Sequence, residues 1–237
     1  MSKQNKMKGF TIAEALTTLA LLGVIMALII PTMVNNSYNA SFVPAVRKTY
    51  GLLERATTQI MMNNAGTLAN AFTNSANARD LIGNTLEYIR TCDATAVEGN
   101  CWTSSTEKLS NGASVESFDP DTNYVGAVLS DSTNLLIYIS DTACSSTGVS
   151  IALPYAESPA SNNMYCGKII VDVNGINNPN TIGRDIFVFY LGKNGLYPGG
   201  DPHTDLNDTD TNCDPTDTGY DGWGCAAVLL NEGEMNY

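Results

Sequence analysis

Histidine is scarce in this sequence, and closely spaced cysteine pairs are absent from it. It contains one histidine, His203, and no Cys-x-x-Cys pair, so the ligand sets that usually hold zinc are missing. It has no P-loop and no dinucleotide-binding fingerprint, and no cysteine and histidine stand in the context of a catalytic pair. We therefore expect no catalytic residues and a protein that is not an enzyme.

Positive charge is also scarce. Twelve lysines and arginines stand against 24 aspartates and glutamates, which gives a net charge of −12. Such a surface repels phosphate groups, so we expect no nucleic-acid partner. With 237 residues, of which 43% are hydrophobic, the chain is long enough for one domain plus an anchor, or for two small domains.

Charged residues are absent altogether between Ala15 and Val46. Residues 15–34 are long enough and apolar enough to cross a bilayer as a helix. Lys3, Lys6 and Lys8 stand ahead of this segment with no acid among them, which predicts a cytoplasmic N-terminus and an exported remainder. Glu14 is the anomaly, because an ionised carboxylate there costs about 3 kcal/mol or more without a partner. No basic residue lies within helical reach, so we expect a partner outside the segment or a protonated group.

Three ordinary explanations compete for this apolar segment. A cleaved secretory signal is usually shorter, is uncharged and ends at a small-x-small site. A plain transmembrane anchor leaves Glu14 unexplained. A lipoprotein anchor needs a cysteine directly after the apolar residues, whereas the first cysteine is Cys92.

The segment Lys8-Gly9-Phe10-Thr11-Ile12-Ala13-Glu14-Ala15-Leu16 resembles the N-terminal cleavage and methylation motif of type IV prepilins and type II secretion pseudopilins. The resemblance covers residues 6–60 and implies that a prepilin peptidase cuts between Gly9 and Phe10. It also implies N-methylation of Phe10 and a role for Glu14 in assembly. Residues 1–9 carry three lysines and no acid, so removing them takes the net charge from −12 to −15.

The chemistry of the motif agrees with this resemblance. After the cut, the Phe10 amino group is a cation at the end of an apolar helix, and Glu14 of a neighbouring subunit would neutralise it. Neither charge is stable alone in lipid, so the pair favours helices that lie side by side. The expected partners are other filament subunits, the prepilin peptidase, inner-membrane assembly machinery and the membrane itself.

Two functions follow from these expectations. The first is a structural subunit of a type IV pilus or type II secretion pseudopilus-like filament. It would begin as a single-pass protein of the bacterial inner membrane and end in a periplasmic or extracellular filament. The alternative is a membrane-tethered extracytoplasmic binding domain that does not polymerise.

The expected fold class is α+β and pilin-like, with one long helix packed on an antiparallel sheet. We expect a leader at 1–9, a transmembrane and assembly half of the helix at 10–34, and a head at 35–237. Apolar residues continue at helical spacing to about residue 63; they are Val43, Val46, Tyr50, Leu53, Ile60 and Met61. Pro31 and Pro44 interrupt this helix, and Pro44 predicts either a kink or a restart capped by Ser41.

After the long helix, the pattern predicts a second helix at 77–90 and a polar loop from Thr91 to Asp121. Runs rich in β-branched and aromatic residues then predict strands; these are Tyr124–Leu129, Leu135–Ser140, Val149–Leu153, Lys168–Val173 and Ile186–Leu191. The stretch from Asp172 to Pro198 resembles, more weakly, the C-terminal part of prepilin-like heads. That resemblance implies a sheet hairpin and a metal-binding or disulfide-closed loop.

Six cysteines, all beyond the apolar segment, predict three disulfides in an exported domain. They are Cys92, Cys101, Cys144, Cys166, Cys213 and Cys225. Fifteen connectivities are possible for six cysteines. Pairing neighbours in sequence would give Cys92–Cys101, Cys144–Cys166 and Cys213–Cys225; free buried thiols are the alternative.

Residues 201–221 are rich in aspartate. The alternating oxygen ligands Asp208, Asp210, Asn212 and Asp214 suggest calcium as a cofactor, although the glycine and glutamate of an EF-hand loop are missing. A solvated acidic loop closed by a disulfide is the alternative. Asp172, Asn174 and Asp185 are expected to cap turns through their side chains.

Overall fold

The computed structural model describes residues 11–115, 120–145, 164–201, 213–214 and 220–237, with the backbone alone at 31–38 and 123. The chain divides into two compact units, Met1–Ala40 and Ser41–Tyr237, and the second is called the head below. Helix α1 spans Ile12–Asn63, close to the predicted 10–63. The helix is continuous through Pro44, so the predicted alternative of a restart there is wrong. One missing backbone N–H does not end a helix of this length when its apolar face is packed.

The described residues of the head form one six-stranded sheet. The strands are β1 (Tyr88–Cys92), β2 (Val125–Leu129), β3 (Asn134–Ile139), β4 (Tyr165–Asp172), β5 (Ile186–Gly192) and β6 (Gly195–Pro198). Their order in the sheet is their order in the chain, and all neighbours are antiparallel. The α+β class with an N-terminal apolar helix and an antiparallel sheet is therefore confirmed.

The described residues of the head also form helices α2 (Ser75–Gly83), α3 (Pro120–Asn123) and α4 (Cys225–Glu232). Helix α2 begins at Asn74, whose side chain accepts a hydrogen bond of 2.8 Å from the Asn77 N–H. The predicted extension of this helix to residue 90 is wrong. Residues from Tyr88 onward form edge strand β1, and Ile89, expected on the buried face of a helix, is 66% exposed.

One face of the sheet is covered by the second half of α1. Val46, Leu53 and Ala56 are fully buried against a core that includes Ile169 and Phe189. The Tyr50 ring stacks on Phe189 of β5 with a centroid separation of 5.6 Å. This packing confirms the apolar face predicted for the helix after residue 41.

The other face of the sheet is also buried. The segment between β1 and β2 lays Val97, Trp102 and Leu109 over Ile170 and Val188. The described residues of the predicted polar loop at 91–121 have little regular structure. The few apolar residues of this loop nevertheless form part of a second core. A two-sided core explains why every residue of β4 and β5 is buried.

Close approach of this segment to the sheet depends on a glycine. Gly126 of β2 lies opposite Cys92, and a Cβ there would come within 2.5 Å of the Cys101 Cβ. Any other residue at 126 would push the covering segment away from β2.

Four of the five predicted strands correspond to β2, β3, β4 and β5, with ends shifted by up to three residues. The fifth prediction, Val149–Leu153, lies outside the described residues. Strand β6 and helix α4 were not predicted. Helix α4 ends at Gly233, whose φ of 82° is the left-handed conformation that favours glycine at a helix C-terminus.

Candidate functional site

The N-terminus of α1 is held by a reciprocal pair of hydrogen bonds between Thr11 and Glu14. The Thr11 N–H and hydroxyl donate to Glu14 Oε2 at 2.9 and 2.8 Å, and the Glu14 N–H donates to Thr11 Oγ1 at 3.2 Å. Thr-x-x-Glu with these bonds is a capping box, which satisfies two backbone N–H groups that a helix start leaves free.

This capping box corrects the expectation that Glu14 has no partner inside its own segment. Its partner is not a base but the neighbouring Thr11, and the spacing Thr11-Ile12-Ala13-Glu14 is the sequence signal for it. One carboxylate oxygen, Oε2, accepts both Thr11 donors. Within the described part of the chain, Oε1 accepts no hydrogen bond and remains available.

The capping box is followed by an apolar segment that the rest of the described chain leaves uncovered. Ile12–Ile30 has a mean hydropathy of 2.2 and no buried residue, so by length and composition alone it is able to cross a membrane or act as a signal sequence. Its exposed large side chains are Ile12, Leu16, Leu19, Leu21, Leu22, Val24, Ile25, Met26, Leu28, Ile29 and Ile30. Soluble surfaces rarely carry a contiguous patch of this size.

Several predicted site residues lie outside the described residues; they are Gly9, Phe10, Asp208, Asp210 and Asn212. Asp214, the last of the predicted calcium ligands, is described and partly buried beside Cys213. The cleavage site and the acidic-loop calcium site therefore stay predictions.

All six cysteines are paired in the head. The disulfides are Cys92–Cys101, Cys144–Cys166 and Cys213–Cys225, so the pairing of sequence neighbours is the one found and no described cysteine is free. Cys92–Cys101 fixes the start of the covering segment to the edge of the sheet. Cys213–Cys225 ties the acidic region to the first residue of α4.

The loop between β4 and β5 brings together the three predicted turn-capping residues. Asp172 Oδ1 accepts the Asn174 N–H at 3.2 Å, and Asp185 accepts the N–H groups of Asn180 and Thr181 at 2.8 and 2.6 Å. Both carboxylates are fully buried. Burial raises the pKa of each, and the charge of Asp185 adds to the effect at Asp172.

Lys168 has an environment that was not predicted from the sequence. This residue of β4 lies in register between Tyr138 and Tyr190, and its side chain is fully buried. Its Nζ lies 5.4 and 5.8 Å from the ring centroids of Tyr124 and Tyr138 and has no hydrogen bond with the described residues. Desolvation lowers the pKa of Lys168 to about 7.

No family model, curated protein or solved structure matches the chain. The features that bear on function are the capping box, the uncovered apolar segment and the core of the head.

Proposed function

We propose that this chain is a structural subunit of a type IV pilus or type II secretion pseudopilus-like filament. A prepilin peptidase would remove residues 1–9, and the mature subunit would wait in the bacterial inner membrane with its N-terminus inside. The observation that carries the proposal is Glu14, held by a capping box at the start of the apolar, uncovered segment Ile12–Ile30.

The uncovered segment supports a location in lipid followed by burial among other helices. Apolar surface contributes about 25 cal/mol for each Å² removed from water, so a helix with this many exposed aliphatic side chains is strongly driven to be covered. A membrane covers it in the precursor. In a filament, the same side chains would pack against copies of themselves.

The head supports the proposal by having a core of its own. Its first buried residues on α1 are Phe42 and Val43, and every other residue of that core also lies within Ser41–Tyr237. A head with its own core is able to stay folded whether its N-terminal segment is in a membrane or in a filament.

Glu14 supplies the specific contact in this proposal. Thr11 fixes Oε2 in the subunit's own helix, which leaves Oε1 for the amino group of Phe10 on a neighbouring subunit. A buried ion pair left with one partner costs about 3–5 kcal/mol. Assembly without the carboxylate would place an unpaired cation in the filament core.

The decisive experiment compares Glu14→Ala, Glu14→Gln and Glu54→Ala by sheared-filament yield relative to mature subunit in the membrane. Glu54 is an exposed glutamate later in α1 and serves as the matched control. The amide of Glu14→Gln can still accept from Thr11 but carries no charge. We expect both Glu14 variants to be cut and folded yet to fail in assembly, and Glu54→Ala to assemble normally.

Two outcomes would count against this proposal. Normal filament yield from Glu14→Gln would show that charge pairing is not needed and that the residue only caps the helix. Retention of residues 1–9 in the mature protein, read from its N-terminal residue and mass, would instead support the membrane-tethered binding domain.

A further inference from the structure

A cavity of about 230 Å³ lies in the head, between the last turns of α1, the loop that follows α1 and the end of α2. Six polar residues line this amide cavity, and five of them carry side-chain amides; they are Gln59, Asn63, Asn64, Asn70, Asn84 and Thr85. Among the described residues, no charged and no aromatic side chain takes part in the lining. The cavity therefore offers neutral hydrogen-bonding groups in a chain whose surface is otherwise rich in acids.

The fold brings these amides together from separate parts of the chain. Two of them come from α1, two come from the loop that follows it, and Asn84 comes directly after α2. Thr85 Oγ1 lies 3.4 Å from Gln59 Oε1, although 26 residues separate the two in sequence. The amides thus converge through tertiary packing and are not merely a local run of asparagines.

Hydrogen bonds hold the loop of the amide cavity in place. Asn64 Nδ2 donates to two carbonyls of the loop at 2.7 and 2.9 Å, which leaves its Oδ1 as the group able to accept from a ligand. The Leu68 N–H donates to the Lys193 carbonyl at 2.9 Å. The Asn70 N–H donates to the Thr142 carbonyl at 2.6 Å. A cavity whose walls are already fixed costs a ligand little ordering of the protein.

The apolar part of the lining lies deeper than the amides. Ala56 is fully buried and Ile60 is 9% exposed, whereas Gln59 and Asn63 are exposed. These four residues recur at the spacing of one helix face, so α1 alone contributes an apolar floor and part of a polar rim. Leu81 of α2 adds to the floor and is half-buried. A ligand would find apolar contact below it and hydrogen bonds around it.

Two helices end at the amide cavity, α1 at Asn63 and α2 at Gly83. The C-terminus of a helix carries a partial charge of about −0.5, and neither last turn contains a basic residue that would offset it. An anionic ligand is therefore disfavoured. A cationic ligand would find no carboxylate in the lining, and an unpaired charge is costly to remove from water. The ligand that fits is neutral and donates hydrogen bonds.

We propose that the amide cavity binds one neutral sugar ring, through hydrogen bonds between the ring hydroxyls and the amides of the rim. A hydroxyl group both donates and accepts hydrogen bonds, and so does a side-chain amide, so the two groups pair in either direction. The C–H groups of the ring would pack on the apolar floor that Ala56, Ile60 and Leu81 contribute to.

The size of the cavity limits the alternatives. Its volume equals that of about eight waters at about 30 Å³ each, which admits one sugar ring with its hydroxyls. Drug-sized ligands occupy pockets of about 300–1,000 Å³. A nucleic-acid base would also lack an aromatic side chain on which to stack. The whole site lies within Ser41–Tyr237, so it does not depend on the proposed filament.

The test is methyl NMR of the full-length protein in an amine-oxide detergent, because a glycoside detergent would itself present a sugar. The neutral probes are glucose, galactose, mannose and N-acetylglucosamine, and the charged probes are glucuronate and glucosamine. We expect at least one neutral probe to shift the methyl signals of Ile60 and Leu81, while exposed Ile176 of the β4–β5 loop stays unchanged. Both charged probes should bind at least tenfold more weakly than that neutral probe.

Methyl glycosides of the neutral probes distinguish two sources of the sugar. A ring at the end of a glycan has its anomeric oxygen substituted, whereas a free monosaccharide does not. Binding of the methyl glycosides would support a site for a glycan end, and binding of the free sugars alone would support a site for a monosaccharide.

Two matched variants test the role of the amides. Asn63 and Asn231 are both exposed asparagines in the last turn of a helix, α1 and α4 respectively. Asn63→Asp replaces two donors of the cavity with a charged acceptor and should weaken sugar binding at least tenfold. Asn231→Asp makes the same change away from the cavity and should keep the wild-type affinity. Asn84→Ala, which removes an exposed amide without adding charge, should also weaken binding at least tenfold.

Three results would overturn the proposal. Shifts of Ile60 and Leu81 by a charged probe and by no neutral one would show that the cavity takes an ion. Wild-type affinity in both Asn63→Asp and Asn84→Ala would show that the amides do not hold the sugar. The absence of any shift at Ile60 and Leu81 with all the probes would show that the cavity holds water alone.

Discussion

Replacing Lys168 with methionine should stabilise the head at neutral pH and flatten its pH dependence. In the wild type, the ammonium group is buried between aromatic rings, and desolvation lowers its pKa from the usual 10.5 to about 7. Methionine has a similar length and no charge, so it should fill the same space beside Tyr138 and Tyr190.

The direction follows from proton linkage. Between pH 7 and 10.5 the unfolded chain holds a proton on Lys168 that the folded chain has lost, so stability rises with pH in this interval. Within it, this one group contributes a slope of about 1.4 kcal/mol per pH unit. By the same conversion, the lowered pKa of Lys168 reduces the free energy of unfolding at pH 7 by about 4 kcal/mol. Cation–π attraction to Tyr124 and Tyr138 offsets about 1–2 kcal/mol of this loss. We therefore expect Lys168→Met to gain about 2–3 kcal/mol at pH 7.

The assay is urea unfolding under non-reducing conditions at pH 7, 8 and 9, below the range in which tyrosines titrate. The control is Lys108→Met, because Lys108 is exposed and should retain the wild-type slope. If Lys168→Met kept the same slope, or lost stability equally at all three pH values, the lysine would have a charged partner and the reasoning would be refuted.

Three further predictions concern maturation, disulfides and packing. Gly9→Leu should block removal of residues 1–9, because a branched side chain obstructs the peptidase, and uncut precursor should accumulate in membranes; normal cutting at the same bond would contradict the resemblance. Mass spectrometry should find the native chain six hydrogens lighter than the reduced chain, two for each of the three disulfides, whereas alkylation of native cysteines would exclude this pairing. Leu53→Ala should lower the free energy of unfolding of the head by about 2–5 kcal/mol, measured by urea unfolding against the exposed-site control Met62→Ala, which should change little.

Much of the sheet could be predicted because its strands are short apolar runs bounded by turn residues. Strand β1 was mistaken for helix because Leu81, Ile82, Leu86 and Ile89 share a helical spacing. Gly83 and Asn84, where α2 ends, were the local signal against it. Strand β6 contains a glycine and a proline, so only its pairing with β5 makes it a strand.

The polar features were harder to predict than the strands. Because side chains alternate along β4, Lys168 and Ile169 lie on opposite faces of the sheet. If only the Ile169 face were covered, Lys168 would be exposed to solvent. The segment between β1 and β2 covers the second face and buries it in a core. The few apolar residues of that segment, such as Trp102, are too far apart in sequence to show the periodic spacing of a helix or strand. The Thr-x-x-Glu spacing of Thr11 and Glu14 indicates a capping box in the sequence, although the partner of Glu14 is a hydroxyl and not a charged group.

Every disulfide joins a cysteine to the next cysteine in the chain, and each described strand pairs with the next described strand. With the N-terminus held inside as proposed, a head that crosses the membrane in sequence order presents its native thiol partners two at a time. An oxidase that links each new thiol to the one waiting before it produces the native pairs in order. If the head is exported as proposed, its disulfides need an oxidant, whereas a disulfide isomerase has no wrong pair to correct unless a cysteine is skipped.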